Sequence, residues 1–295
     1  MTYLADNGRG IAFASLAAIA FGTTAILAKL GYREGADLVP LLATRFAIAG
    51  MVLAAYNLVR RRSPWVGRRN VVRLLLLGGV GFALESSLFF LGLERAPAGV
   101  VSLIFYTYPM WTALFGFATR LEPYRHRTLV ALLLGTAGVS LIFSIRLGSL
   151  VGPLFALLAA IAVAIYFLVA QIVIADVHPS VAAAWTAVGA AVSFGCATLL
   201  TRDALPPGAV DEATALGFVT ALAFVLLYES IVLIGSARAA VASMLEPVAT
   251  LVLAALVLDE VVSSRVVLGA ALVVSALPVL ALAKPPEEPA PLAGP

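Results

Sequence analysis

Cysteine is almost absent. Cys196 stands alone, so no internal disulfide can form, and its small apolar neighbours make it read as inert packing. Lysine is nearly as scarce, with Lys29 and Lys284 only and no Gly-Lys pair. That removes the phosphate-cradling Walker A loop, and with it an ATP motor within this chain. The two histidines, His126 and His178, sit at the ends of apolar runs as interfacial residues, with no cysteine cluster beside them. No HExxH or GxSxG stands in the chain, so hydrolase chemistry has no support and neither a metal nor a cofactor is expected. Charge of either sign is rare, at 12% of residues against about 25% in a soluble domain. A net charge of +3 is too small to suggest nucleic acid.

What is present is apolar sequence, 62% of the chain. A membrane-crossing helix needs about 20 such residues, and that ruler finds ten runs: 10–30, 38–59, 71–93, 97–119, 127–145, 149–173, 179–200, 213–234, 238–258 and 264–283. Turn residues separate them. Pro97 and Pro179 fall where a helix accepts proline, in its first turn. The end of the chain, 285–295, carries five prolines in eleven residues and reads as a disordered tail. With the N-terminus placed in the cytoplasm, twelve of the nineteen basic residues fall inside, six fall outside and Arg45 lies within a span. The positive-inside bias therefore puts both termini in the cytoplasm.

One stretch occurs twice. Residues 96–122 and 236–260 are long apolar runs, each with a central proline and a closing glutamate. Pro109 and Pro247 are 138 residues apart, as are Glu122 and Glu260. Five spans per half is an odd number, so two similar halves must enter the membrane in opposite directions. The expected architecture is an all-α integral membrane protein of ten transmembrane helices, built as two inverted five-helix repeats, 1–145 and 146–284.

Ionisable groups inside such spans cost at least ~2.5–3.5 kcal/mol each on insertion scales, so each one asks for a cavity or a partner. Glu85 lies halfway along the third span with Phe89 one turn on; Glu246 lies eight residues into the ninth, just before Pro247. A cavity-lining carboxylate of this kind could hold a cation or carry a proton; a buried structural pair is the competing reading for Glu85. Glu229, beside Tyr228, is in the inner half of the eighth span. Arg45 is seven residues into the second and close enough to the outer surface to snorkel. Glu122 and Glu260 read as boundary residues in water. In the fourth span, 100° per residue turns Tyr106 and Tyr108 about 160° apart, so one of them, Tyr106, is expected to face inward. Tyr166 and Tyr228 are too deep for the interfacial belt, and Phe21 precedes Gly22 in the first span. Phenols and carboxylates together suit a substrate that is part flat ring and part ammonium.

The segments GLERAPAGVVSLIFYTYPMWTALFG and GSARAAVASMLEPVATLVLAALVLDE resemble the ten-helix EamA-type transporters of the drug/metabolite transporter superfamily, a likeness extending over about 10–283. Within that superfamily, Glu85 and Tyr106-Thr107-Tyr108-Pro109 resemble the YddG-type aromatic amino-acid exporters, although Phe21 and Val163 stand where that group's cavity is rich in tryptophan. The resemblance implies a central cavity lined by the first, third, fourth, sixth, eighth and ninth spans. It implies no enzyme, but a bacterial inner-membrane exporter of aromatic or other amino acids and related amphiphilic cations, working by alternating access. Its partners would be the small-molecule substrate and membrane lipid, with protons a candidate coupling ion. The expected substrate contacts are Phe21, Glu85, Phe89, Tyr106, Tyr166, Tyr228, Glu229, Met244 and Glu246, with hinges at Pro109 and Pro247. A cation-drug/proton antiporter on the same fold and a non-transporting membrane scaffold are the rival readings.

Overall fold

The structure is a computed structural model that describes residues 2–93, 95–96, 98–123, 125–142, 150–258 and 263–282. Glu260, Pro97 and the expected disordered tail at 285–295 lie outside the described residues. All regular structure among the described residues is helical. Nine helices are long and apolar enough to cross a membrane: Asp6–Arg33, Leu38–Val59, Arg68–Leu93, Val100–Ala118, Val151–Ile174, Pro179–Thr201, Pro207–Ile234, Ser236–Val257 and Ser264–Ala281. A further apolar helix, His126–Ile142, takes the place of the fifth span and stops where the described residues stop. These are called the first to tenth spans in chain order. Cys196 is exposed on the seventh span, a correction to its expected inert packing.

Three spans are interrupted. The third widens into a π-helical stretch, Leu77–Phe82. The fourth divides into Ala98–Phe105 and Tyr108–Ala118, and the ninth into Ser236–Ser243 and Glu246–Leu258. The two breaks correspond residue for residue at the 138-residue offset. Their cause is Pro109 and Pro247, which supply no N–H for the carbonyls of Phe105 and Ser243 four residues earlier. The chain crosses each break on tighter turns, Thr107 N to Ile104 O (3.1 Å) and Leu245 N to Ala242 O (3.2 Å).

The main contacts join one repeat to the other. The first span packs on the eighth and ninth, the sixth on the third and fourth, the second on the seventh and eighth, the third on the seventh, and the fifth on the tenth. Exchanging every span for the one five later leaves this set unchanged, as an inverted repeat requires. The repeats interleave, and each packs chiefly against the other. The third and seventh spans approach closely where Gly78 lies on Thr186 and Gly189 on Leu75. A Cβ at Gly78 would fall 1.8 Å from the Thr186 carbonyl oxygen, and one at Gly189 would fall 2.2 Å from that of Leu75.

The start of the first span and the end of the tenth lie on one side of the bundle, called here the terminal side, because Asn7 Nδ2 donates to Ala281 O at 2.6 Å. Polar contacts close that side. Arg238, 1% exposed, donates to Asn7 Oδ1 and to Leu280 O. Asn57 on the second span and Ser180 on the seventh bond each other, Ser180 Oγ to Asn57 Oδ1 at 2.6 Å and Asn57 Nδ2 to Ser180 O at 3.0 Å. Arg62 Nη1 donates to the same Ser180 hydroxyl at 2.8 Å. His178 Nδ1 accepts from Ser180 N, and burial, then Arg62, lowers the pKa of that imidazole.

Glu122 corrects an expectation. It is buried at 6% exposure and is not a boundary residue in water. Arg120 takes a left-handed conformation (φ 59°) and Glu122 N returns to Gly116 O, which turns the side chain in under the fourth span. Its Oε1 accepts from Ser236 Oγ (3.3 Å) and Ala237 N (3.4 Å), so it caps the ninth span. Gly235 (φ 81°) is required there, since a Cβ would lie 2.3 Å from that oxygen. Gln171 Oε1 takes the remaining N–H of Ser236 at 2.6 Å.

Two stability tests follow from this packing. Gly78→Ala should lower the midpoint of thermal unfolding in detergent by an amount corresponding to about 1–3 kcal/mol or more. Gly8→Ala, in a helix and with nothing within 4 Å of the added Cβ, should leave it unchanged or raise it by up to about 1 kcal/mol equivalent. Equal behaviour of the two variants would refute the close approach. At Glu122, burial raises the carboxyl pKa above its ordinary 4.5. The folded state then holds the proton more tightly than the unfolded state, and this contribution to stability is lost as pH rises through the raised value. Glu122→Gln keeps an acceptor and cannot ionise, so unfolding midpoints against pH should show its advantage over wild type growing upward from about pH 4.5. Glu122→Ala should cost about 1–3 kcal/mol at any pH.

Candidate functional site: a cavity between the repeats

A cavity of about 370 Å³ runs from Tyr32 and Leu38, at the far ends of the first and second spans, to Glu246 and Pro247 at the ninth-span break. The terminal-side residues Asn7, Asn57, Glu122 and Arg238 are not in its wall. It is therefore open toward the far side and closed toward the terminal side. All six spans named by the family resemblance contribute to it, and the second contributes as well.

Of the nine expected contacts, six line the cavity: Phe21, Glu85, Phe89, Tyr106, Tyr166 and Glu246. Glu85 is 8% exposed and takes a hydrogen bond from Ser86 Oγ at 3.2 Å. Glu246 begins the second half of the ninth span, where the positive end of a helix favours a carboxylate, and the Tyr106 hydroxyl donates to it. Of the two expected hinges, Pro247 lines the cavity and Pro109 is buried behind the break.

Three expected contacts are not in the wall. Tyr228 is fully buried behind it, sharing a 2.8 Å hydrogen bond with the Tyr166 hydroxyl and donating to Thr186 Oγ1 at 2.9 Å. It meets the need of a buried phenol for a partner by holding Tyr166 in place. Met244 falls in the ninth-span break, and its sulfur is directed at Gly135 of the fifth span, filling the space a Cβ would take. Glu229 is carried by the helical rotation away from Tyr228 to the terminal side, where it acts electrostatically on His178.

Two residues enter the site that sequence reasoning placed elsewhere. Tyr108 lines the cavity together with Tyr106, their rings 6.5 Å apart. A constant 100° rotation forbids this, but the helix breaks between them. Its hydroxyl bonds Ser243, across the pseudo-symmetry axis. Arg45 does not snorkel. It is 9% exposed, donates from Nε to Thr220 Oγ1 at 2.6 Å, and sits 5.1 Å from the Phe46 ring centre. Glu246 and Glu85 act on it electrostatically, although neither is within 4.0 Å ion-pair distance. One signal for it was available in the sequence: two carboxylates at membrane depth need a counter-charge, and Arg45 is a cation seven residues into a span, away from its ends.

The walls between these charges are aromatic. Phe82 meets Tyr166 edge-on at 6.1 Å, Phe21 meets Phe224 at 6.1 Å, and Phe89 meets Phe105 at 4.8 Å. Among the described residues no cluster of three metal-ligating side chains occurs. The site offers one cation, two carboxylates, several hydroxyls and ring faces.

The model of the EamA-like transporter family matches this chain twice, over residues 8–144 and 150–282. A search of curated proteins finds no match. One solved crystal structure superposes with a TM-score of 0.80, covering 92% of this chain and 98% of its own, at 21% sequence identity. That likeness carries the fold. The double match coincides with the two interleaved sets of spans around the cavity, and the chain belongs to the EamA-like transporter family of the drug/metabolite transporter superfamily: it is a multi-pass membrane transporter, not an enzyme.

Proposed function

We propose that the cavity carries small zwitterionic metabolites with flat side chains, aromatic amino acids first among them, and exports them across a bacterial inner membrane. The observation that carries this reading is Arg45 in the same cavity as Glu85 and Glu246, between aromatic walls. A substrate ammonium pairs with the carboxylates, its carboxylate with the guanidinium, and its ring with Phe21, Phe89, Tyr106 and Tyr166. A purely cationic drug meets Arg45 as a repulsive charge, which disfavours the antiporter reading for such compounds. Glu85 and the Tyr106-Thr107-Tyr108-Pro109 segment are also the features that resemble the YddG-type exporters. The scaffold reading has no use for charge held at this depth.

The twelve-to-six distribution of basic residues supports cytoplasmic termini. The structure then corresponds to an outward-open state. Alternating access would rock the two repeats, 1–145 and 146–284, about the cavity, with the fourth and ninth spans flexing at Pro109 and Pro247. Two carboxylates against one guanidinium leave a negative charge that a proton can neutralise, so one of them, Glu85 or Glu246, is the coupling site.

Uptake into proteoliposomes of an aromatic amino acid and of its decarboxylated amine separates these roles. Arg45→Gln should raise the KM for the amino acid about tenfold or more, the loss of one charge-assisted contact of ~1.5–3 kcal/mol, and leave the amine unaffected or improved. Arg45→Lys should fall between. Equal loss on both substrates would remove the zwitterion reading. Separately, an imposed pH gradient should accelerate wild-type flux in one direction and leave Glu85→Gln or Glu246→Gln indifferent to it. No response of the wild type to either gradient direction would leave a facilitator in place of a coupled exporter.

A further inference from the structure

Between Asp37 and Glu85 the chain has no acidic residue, yet it carries seven arginines, six of them within 60–73. These six, Arg60, Arg61, Arg62, Arg68, Arg69 and Arg73, occupy the loop from the second to the third span and the first turns of the third. None makes an ion pair among the described residues, where Arg9–Asp6 is the one pair within 4.0 Å.

The height of the cluster is fixed by its neighbours. Leu58 and Val59, 77% and 80% exposed at the end of the second span, mark hydrocarbon against that helix, and Arg60 follows at once. Trp65, 66% exposed, has the place of an interfacial ring. The guanidinium groups therefore stand at the level of lipid headgroups. The third span also opens against electrostatic convention. Arg68 and Arg69 occupy its first turn, its N-cap Gly67 makes no side-chain cap, and no acid stands there. Two cations at the positive end of a helix repel it, and an external anion removes that conflict.

The loop is held in shape. Trp185 Nε1 of the seventh span donates to Pro64 O at 2.8 Å, and Arg62 Nη1 of the loop donates to Ser180 Oγ of that span at 2.8 Å. Arg62 lies over the Tyr56 ring at 5.4 Å. Arg61 (φ 54°) and Gly67 (φ 84°) turn the chain at either end. We propose that this arginine face is a binding site for anionic phospholipid headgroups of the leaflet on the terminal side. The phosphodiester would be held by Arg60, Arg61, Arg68 and Arg69 while Arg62 anchors the loop to the other repeat. Charge complementarity, headgroup height and an uncapped helix end converge on that occupant. Because the loop is tied to both repeats, lipid bound here bears on the closed terminal side of the transporter.

The test uses the full chain in nanodiscs of phosphatidylcholine with a minor fraction of phosphatidylglycerol, with native mass spectrometry counting retained lipid. Phosphatidylglycerol should be enriched on the wild type over its bulk fraction. Neutralising Arg60, Arg61, Arg68 and Arg69 to Gln should abolish the enrichment, at roughly fivefold for each arginine removed. The same four changed to Lys should retain most of it. Arg120→Gln with Arg127→Gln, elsewhere on the terminal side, should not change it. Equal loss in that second variant, or no loss in the first, overturns the proposal. If the fourfold Gln variant does not fold, wild-type enrichment must still fall steeply between low and high salt, and a salt-independent value overturns it. Displacement of the lipid by inorganic phosphate at matched concentration would assign the site to soluble phosphate and also overturn it. None of these readouts requires transport, so they stand or fall apart from the substrate assignment.

Discussion

A backbone carbonyl in hydrocarbon must find a hydrogen bond, and a proline inside a spanning helix takes one away. Pro109 and Pro247 do this at equivalent points of the two repeats, and the rest of the site depends on where the fold puts the damage. Both breaks lie against the cavity, with Phe105, Tyr108, Ser243 and Glu246 in its wall. Irregular backbone is tolerable there because it faces a polar space and not lipid tails. Each break also begins a new helix whose positive end points to the cavity, at Tyr108 and at Glu246. The proline thus creates the mid-depth polarity that Glu246 and the tyrosine hydroxyls exploit.

The second constraint is charge. One guanidinium and two carboxyl groups share a space of about 370 Å³ in the bundle, and each would be costly in contact with lipid. The fold offsets the cost in parts. Thr220 accepts from Arg45, Ser86 donates to Glu85, Tyr106 donates to Glu246, and the opposite charges act on one another without closing into contact ion pairs. A collapsed Arg45–carboxylate pair would satisfy itself and leave little for a ligand. Held apart on Thr220 and on the helix break, the groups keep donors and acceptors open.

Much of this was legible in the sequence because hydropathy and proline position act locally. The span from 38 to 59 is found at Leu38–Val59, and the expected run 213–234 ends at Ile234 as Pro207–Ile234 does. Glu85 and Glu246 were singled out by the cost of burying charge, and both line the cavity. The misses share a cause: sequence gives the depth of a residue along a helix, and not the direction of its side chain when the helix is irregular or its neighbours are unknown. Tyr108 was turned away by a rotation that the break suspends. Glu229 and Tyr228 have similar depth, but one helical step sends one to His178 and the other to Tyr166. Arg45 was close enough to an interface to escape, and what keeps it in includes Thr220, 175 residues later, and Glu246, 201 residues later. Glu122 looked like the end of a helix in water, because neither the turn at Arg120 nor the space that Gly235 leaves for its carboxylate shows in the local pattern.

The repeat explains the scaffold but not the function, because the residues that matter break the symmetry. Tyr108 corresponds to Glu246, Phe105 to Ser243, and Val100 to the buried Arg238. On the terminal side this asymmetry assembles hydrogen bonds between repeats: Glu122 to the ninth span, Asn57 to Ser180, Arg62 to Ser180. The cavity opens on the other side, where Tyr32, Leu38 and Leu41 line the mouth. A rocking motion that closed the mouth would cover apolar surface and break the polar contacts, each worth about 0.5–1.5 kcal/mol net. Under the proposed alternating access, the two states would be held by different forces, directional bonds on one side and apolar contact on the other. The separated charges of Arg45, Glu85 and Glu246, which lie in the cavity between the two sides, would then be the groups placed to register a ligand.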